Sequence, residues 1–389
     1  MRYNIFAVKI TRGEKKKGAV FRGVTGGRAR EGKIMDIREI DKNFAQDAAA
    51  DPENTVYYGV AEPPFRLYGV FFDAARGRFL RMPQEIAERV SEGVAWLNTN
   101  TAGGRVRFST DSSFFTLAAN YDSLAVFSHM PLSGNAGFSL CENTPRGEKF
   151  LFCMQPECTD KAGFLRRVPL AGGKMRSYTL YFPLYNEVKN VALGFEKGAK
   201  IGEGLPCENV APVLYYGSSI TQGGCASRPD HSYQALIFKK NNVDFLNLGF
   251  SGNAKAEKAM AEYLAGIRCS VFVLDYDHNA PNADYLSQTH YAIYKTFRAA
   301  QPQTPVLLVT KPDYHRDAEG RRRLEIIKDT YRRAKEEGDE NVDFLDGRKL
   351  FGALREECTV DGCHPNDLGF YRMAAAIGRA VNALLRRGK

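Results

Sequence analysis

The sequence predicts two architectures in series: an N-terminal β-sandwich, jelly-roll-like in arrangement, then a C-terminal α/β/α layer around a mostly parallel five-stranded sheet. Three observations predict it. Short aromatic or alternating runs, separated by Gly-containing turns, fill the first half. Short apolar runs alternate with helical patterns in the second half, as in a parallel sheet covered on both faces. At 389 residues the chain is also long for one hydrophobic core. The expected boundaries are a basic extension at 1–34, the sandwich at 35–204 and the α/β part at 205–389.

The extension carries most of the charge. Residues 1–34 hold ten Lys or Arg against two Glu, which is +8 of the formal +9. The body is therefore nearly neutral, and the basic balance is no argument for a nucleic-acid partner. The extension lacks interleaved stacking aromatics and the apolar stretch of a secretory signal. It reads as disordered or loosely attached, with Met35 as an alternative start. No apolar run is long enough to span a bilayer, so no membrane partner is expected and a cytoplasmic location is. The eight cysteines contain no C-x-x-C pair, so reduced thiols are expected and a zinc site is not.

In the first half, strands are expected at Thr55–Tyr58, Phe65–Phe72, Arg105–Ser109, Phe114–Ala118, Leu124–Phe127, Lys149–Cys153, Ser177–Phe182 and Val188–Phe195. Pro83–Trp96 reads as one helix with Ile86, Val90 and Val94 on one face. Trp96, the sole tryptophan, reads as a core residue in preference to a sugar-stacking platform, because of the area it buries. In the second half, strands are expected at Val213–Tyr216, Phe245–Phe250, Ser270–Tyr276, Val306–Thr310 and Phe344–Asp346. Helices are expected at Tyr233–Lys240, Ala254–Ala265, Ala283–Ala300, Gly320–Glu337 and Asn366–Leu385. Leu324, Ile327 and Tyr331 share one face of the fourth, which marks it as a solvated covering helix.

The chemistry-bearing stretch is Val213–Gly224 (VLYYGSSITQGG). A buried strand ends at Gly217, and Ser218 and Ser219 follow at the strand's carboxyl end, where open α/β sheets place their ligands. A serine there is a nucleophile if a base lies in reach; alone it reads equally as a capping turn. Downstream lie Asn247–Asn253 (NLGFSGN) after the second strand, Asp277–Asn279 (DHN) after the third, and Asp361–His364 (DGCH) before the last helix.

This ordered set resembles the SGNH (GDSL-type) hydrolase family, and the two-part layout resembles its carbohydrate-esterase-like members with an N-terminal β-sandwich. The resemblance covers the stretch from residue 205 onward. It implies Ser219 as nucleophile, His364 as base and Asp361 as the carboxylate that orients it. It implies the backbone N–H groups of Ser219 and Gly252 and the side-chain amide of Asn279 as oxyanion donors. Two positions depart from the family pattern: Ser218 stands where Asp is usual, and Asp277 where Gly is usual. Asp275 or Asp277 is an alternative orienter. His278 is a candidate lining residue, His231 belongs near a helix start, and His129, His290 and His315 carry no assigned role.

The implied activity is that of a serine esterase removing short acyl groups, acetyl foremost, from a carbohydrate or similar small substrate. No cofactor or metal is expected, the partner is a small-molecule or oligosaccharide ester, and a homo-oligomer is compatible with the sequence. Alternatives are a lysophospholipase- or thioesterase-type acylhydrolase, which an apolar lid segment would favour, and an inactive carbohydrate-binding protein on a hydrolase fold. A chain beginning at Met35 is expected to fold and keep full esterase activity. A large drop in its Tm or rate would show that the extension is integral.

Overall fold

The computed structural model describes residues 52–387 apart from Lys161 and Val210; the expected extension at 1–34 lies outside them. The first half contains β1 (Thr55–Gly59), β2 (Arg66–Tyr68), β3 (Phe71–Asp73), β4 (Arg78–Leu80), β5 (Arg105–Thr110), β6 (Phe114–Asn120), β7 (Phe138–Thr144), β8 (Gly147–Met154), β9 (Gly163–Pro169), β10 (Arg176–Tyr181), β11 (Asn190–Glu196) and β12 (Ile201–Glu203). They build an antiparallel sheet ordered β1-β11-β6-β9 and a second ordered β12-β5-β10-β7-β8, with β2 on β5. Inward residues of both sheets share one core. Phe108 on β5 stacks on Phe115 of β6 at 5.7 Å and meets Phe195 of β11 edge-on at 5.4 Å, offset and T-shaped geometries that suit the ring quadrupole.

The second half contains β13 (Val213–Gly217), β14 (Phe245–Gly249), β15 (Val271–Asp275), β16 (Val306–Val309) and β17 (Val342–Leu345), ordered β14-β13-β15-β16-β17. Every pairing is parallel, so the sheet is wholly rather than mostly parallel. Period-2 alternation splits each strand between two cores. Val213, Tyr215, Val271 and Val273 pack under helices Tyr233–Asn241 and Asp367–Arg387. Leu214, Tyr216, Phe272 and Leu274 pack under Lys258–Gly266, Ala283–Ala300 and Ala318–Glu336. No helix among the described residues is long and apolar enough to cross a membrane.

Several expectations need correction. The Pro83–Trp96 helix is two helices, Gln84–Val90 and Glu92–Leu97, broken at Ser91, whose φ of −172° is extended and whose Oγ accepts from Val94 N. An N-cap serine thus starts a new helix within an apparently continuous pattern. The second helix buries Val94 and Leu97, leaving Trp96 54% exposed rather than in the core. Leu124–Phe127 is no strand, because asparagine side chains occupy the Ala125 backbone: Asn186 Oδ1 accepts from its N–H at 2.8 Å and Asn135 Nδ2 donates to its carbonyl at 2.8 Å. Phe65–Phe72 divides into β2 and β3, and Ala254–Ala265 becomes helical only from Lys258.

The sandwich meets the parallel sheet along β14, an edge strand with no strand on its outer side among the described residues. Its outward carbonyls are taken by two buried arginines. Arg81 donates to Asn247 O at 3.2 Å, Gly249 O at 2.6 Å and also Leu97 O at 2.6 Å. Arg105 donates to Phe245 O at 3.2 Å, pairs with Asp244 and lies 3.7 Å over the Phe245 ring. Burial pulls the Arg81 guanidinium down to about 9, still protonated at neutral pH. Arg81→Leu strips the Asn247 and Gly249 carbonyls of their donor, each worth about 1–3 kcal/mol when left bare, while Leu97 O keeps the Asn100 N–H at 3.1 Å. Urea unfolding should show a loss of at least about 2 kcal/mol, with a lowered rate as the end of β14 loosens. An unchanged midpoint would contradict this reading of the edge.

Candidate active site

Strand register builds the site. Gly217 at the carboxyl end of β13 lies opposite Gly249 of β14 and Asp275 of β15, so the three loops that follow emerge side by side. Gly217 must be glycine: a Cβ there would lie 2.1 Å from Thr221 Oγ1 and 2.3 Å from Asp275 O. The chain turns directly into helix Ser219–Gln222, with Ser218 as N-cap accepting from Ile220 N at 3.2 Å. Ser218 therefore does the capping that an aspartate at this position would do. Ser219 opens the helix, so its N–H has no helical acceptor.

The structure brings Ser219, His364 and Asp361 into one line. Ser219 Oγ is 2.9 Å from His364 Nε2, and His364 Nδ1 is 2.7 Å from Asp361 Oδ2. Asp361 Oδ1 also accepts the backbone N–H of His364 at 2.7 Å and of Cys363 at 3.0 Å. Burial works to raise the Asp361 carboxyl, but the backbone and ring hydrogen bonds from His364 outweigh it and hold it down to about 2. With Nδ1 donating to a carboxylate, Nε2 is the free acceptor for the serine proton.

The candidate oxyanion donors sit on the neighbouring loops. Gly252 adopts φ +69° and its backbone N–H has no acceptor among the described residues. Asn279 Nδ2 donates to Phe250 O at 2.8 Å, which leaves a second amide hydrogen. Phe250 N in turn donates to Gly217 O at 2.9 Å, and Ser251 N to Gln222 Oε1 at 3.0 Å. The loops are thus tied to each other and to the serine turn.

The alternative orienters are elsewhere engaged. Burial, then Asp277, pushes the Asp275 carboxyl well up, and Asp275 accepts from Thr221 Oγ1 at 3.2 Å. Asp277, pushed up to about 6 by burial, accepts from Lys311 N at 3.0 Å while its carbonyl accepts from Arg323. Its carboxylate fastens the loop that carries Asn279, which accounts for an aspartate where glycine is usual. Burial pulls the His278 imidazole down to about 4. His231 pairs with Asp367 at 2.8 Å, and Ser227 donates to that same carboxylate, so this second Ser/His/Asp group is not a relay. His290 bonds Thr330 Oγ1 at 2.8 Å inside the helical layer. Cys363 is half-buried, and its desolvation pushes the thiol up to about 11, far from the thiolate form.

Sequence reasoning missed what the first half supplies. Tyr185 donates its hydroxyl to Ser219 O at 3.0 Å. Phe127 packs on Tyr185 at 5.8 Å, and the His129 ring stands 5.7 Å from that of His364. None of these contacts leaves a spacing signal, because each joins segments far apart in the chain. A cavity of about 360 Å³ is lined by Asp313, His315, Arg316, Arg348 and Arg355, and by none of the catalytic candidates; Arg316 also donates to Gly362 O.

Asp361 also carries a stability signature. Its carboxyl is depressed in the folded chain, so its contribution is present above the unfolded value of about 3.9 and is lost as pH falls through about 2. Asp361→Asn should lower stability at neutral pH and flatten the pH dependence of unfolding between about pH 4 and 2. An acid-unfolding curve parallel to the parent's across that window would contradict the assignment.

Residues 210–382 match the GDSL-like lipase/acylhydrolase family, and residues 55–201 match the N-terminal region of SGNH-hydrolase-type esterases. No curated protein sequence matches the chain. Among solved structures, a Bacteroides ovatus protein described as a GDSL-like lipase is 27% identical with a TM-score of 0.77, over 86% of this chain and 98% of its own. A salicylyl-acyltransferase from a tetracycline biosynthetic pathway is 18% identical with a TM-score of 0.71, over 85% and 97%. A family two carbohydrate esterase from Cellvibrio japonicus is 11% identical with a TM-score of 0.57, over 86% and 99%. The last two are likenesses of fold.

Proposed function

Because this chain belongs to the SGNH (GDSL-type) hydrolase family of esterases and acylhydrolases, we propose that it is a serine esterase releasing short acyl groups, acetyl foremost, from a carbohydrate. The observation that carries the chemistry is the unbroken line from Ser219 Oγ through the His364 ring to Asp361. His364 takes the serine proton as Oγ attacks the ester carbonyl and returns it to the leaving alcohol. The acyl group rests on Ser219 until water, activated by the same imidazole, releases it. The N–H groups of Ser219 and Gly252 and the amide of Asn279 hold the developing oxyanion, each worth about 2.7–4 kcal/mol. The carbohydrate part of the reading is supported by the shared fold of the Cellvibrio carbohydrate esterase, and the short-acyl part by the absence of an apolar lid stretch in the sequence.

One set of variants assayed on one acetyl ester tests the roles. Ser219→Ala and His364→Ala should each lower kcat by several orders of magnitude, and the double variant little further, as for groups acting as one unit. Asp361→Asn should cost less, and Asn279→Ala about 10²–10³ in kcat with KM largely kept. Near-normal turnover in His364→Ala, with activity lost in His278→Ala or His231→Ala, would displace the base. Acetate esters should show higher kcat/KM than octanoate esters; the reverse order would replace the carbohydrate reading with a lipid-directed one.

A further inference from the structure

We propose that His129, Cys225 and His364 form a site for a thiophilic divalent transition-metal ion of the Zn²⁺ type, and that the bound ion shuts the esterase off by occupying the imidazole that Ser219 needs. The shut-off rests on the catalytic role proposed above for His364; the site itself does not. The donor atoms of the three residues lie within 4.8 Å of one another. Tetrahedral zinc, with bonds of about 2.0–2.3 Å, holds its donors about 3.3–3.7 Å apart. Closing on an ion thus asks for donor-atom shifts on the order of 1 Å.

Three features favour such an ion. The donor set is two imidazoles and one thiol with no carboxylate, which suits zinc-like ions and not magnesium or calcium. His364 already donates Nδ1–H to Asp361 at 2.7 Å, the outer carboxylate that zinc-bound histidines generally carry. That bond also leaves Nε2 as the free lone pair, and Nε2 is the atom now facing Ser219 Oγ. The ligands stand on supports already fixed for other reasons. Cys225 follows the serine turn, where a Cβ on Gly224 would lie 3.4 Å from His364 Cδ2. His129 is held through Phe127, whose ring packs on Tyr185.

The exchange balances without redox chemistry. Cys225 releases its proton to solvent and binds as thiolate; His129 and His364 each give a lone pair; water takes the fourth position. Ser219 keeps its proton, since its acceptor is now on the ion. A half-buried histidine from the sandwich side, with no role in the acyl-transfer line, thereby gains control over it.

The test begins with chelator-treated full-length protein. Cobalt(II), as a spectroscopic stand-in, should bind one per chain and give thiolate-to-cobalt charge-transfer absorbance in the near ultraviolet. ZnCl₂ should displace it and inhibit acetyl-ester hydrolysis, and chelator should restore the rate. His129→Ala and Cys225→Ser, each shown folded by circular dichroism, should lose that absorbance. Each should also need at least about tenfold more zinc for half-inhibition of its own zinc-free rate, given that losing even an outer partner costs about 10–100-fold in affinity. Absence of stoichiometric cobalt binding, or equal zinc sensitivity in both folded variants, would overturn the proposal. The charge-transfer band in a protein that hydrolyses no ester would sink the esterase reading and leave the metal site standing.

Discussion

The unpaired edge of β14 is the constraint on which the molecule turns. A parallel sheet ending there exposes the carbonyls of Phe245, Asn247 and Gly249 to whatever covers it, and a buried carbonyl without a donor is costly. The answer is two guanidinium groups instead of another strand: Arg105 reaches the first carbonyl and Arg81 the other two. Both arginines come from the β-sandwich half. The sandwich is thereby bound to the parallel sheet by backbone-directed hydrogen bonds whose register is set residue by residue. Asn100 and Leu184 add a further link by accepting from Gln222 Nε2, each at 3.1 Å.

This junction reaches the chemistry within a few residues. Gly249, held by Arg81, leads into the Ser251–Gly252 turn, and Gln222, held by the sandwich, accepts from Ser251 N. Tyr185 grips the carbonyl of Ser219 itself. The site is therefore a meeting of three strand-end loops positioned partly by the other half of the chain. Burial then sorts the carboxyls. Asp275 and Asp277 lie inside without enough donors and are pushed up, whereas Asp361 accepts three hydrogen bonds from its own loop and is held near 2. The carboxylate beside His364 is the one held furthest towards its charged form, as a group steadying an imidazolium should be.

The α/β part was legible because each strand is a short apolar run buried on both faces and each long helix has a clear apolar stripe. Ala283–Ala300 is read to the residue. The DGCH spacing also places Asp361 and His364 together, since a three-residue step within one loop needs little from the rest of the fold. The sandwich was less legible. Gly163–Pro169 carries two arginines in the middle of a strand, so alternation is masked. Leu124–Phe127 has the pattern of a strand but loses its backbone to Asn135 and Asn186. Ser91 splits a helix that periodicity alone would continue. Trp96 is exposed because a helix of one and a half turns buries only Val94 and Leu97. Nothing in the sequence signals Tyr185 as a neighbour of Ser219 or His129 as a neighbour of His364, because each contact joins segments far apart in the chain.

The claim that Ser219 attacks the acyl carbon with His364 as its base can be tested at a single atom. A fluorophosphonate ester reacts with an activated serine and leaves a stable phosphonyl adduct in the geometry of the tetrahedral intermediate. Peptide mass spectrometry after exposure to one equivalent should find the adduct on Ser219 alone, and labelling should be nearly abolished in folded His364→Ala. Modification of another serine, Ser218 or Ser227 included, or undiminished labelling of Ser219 without His364, would contradict the account.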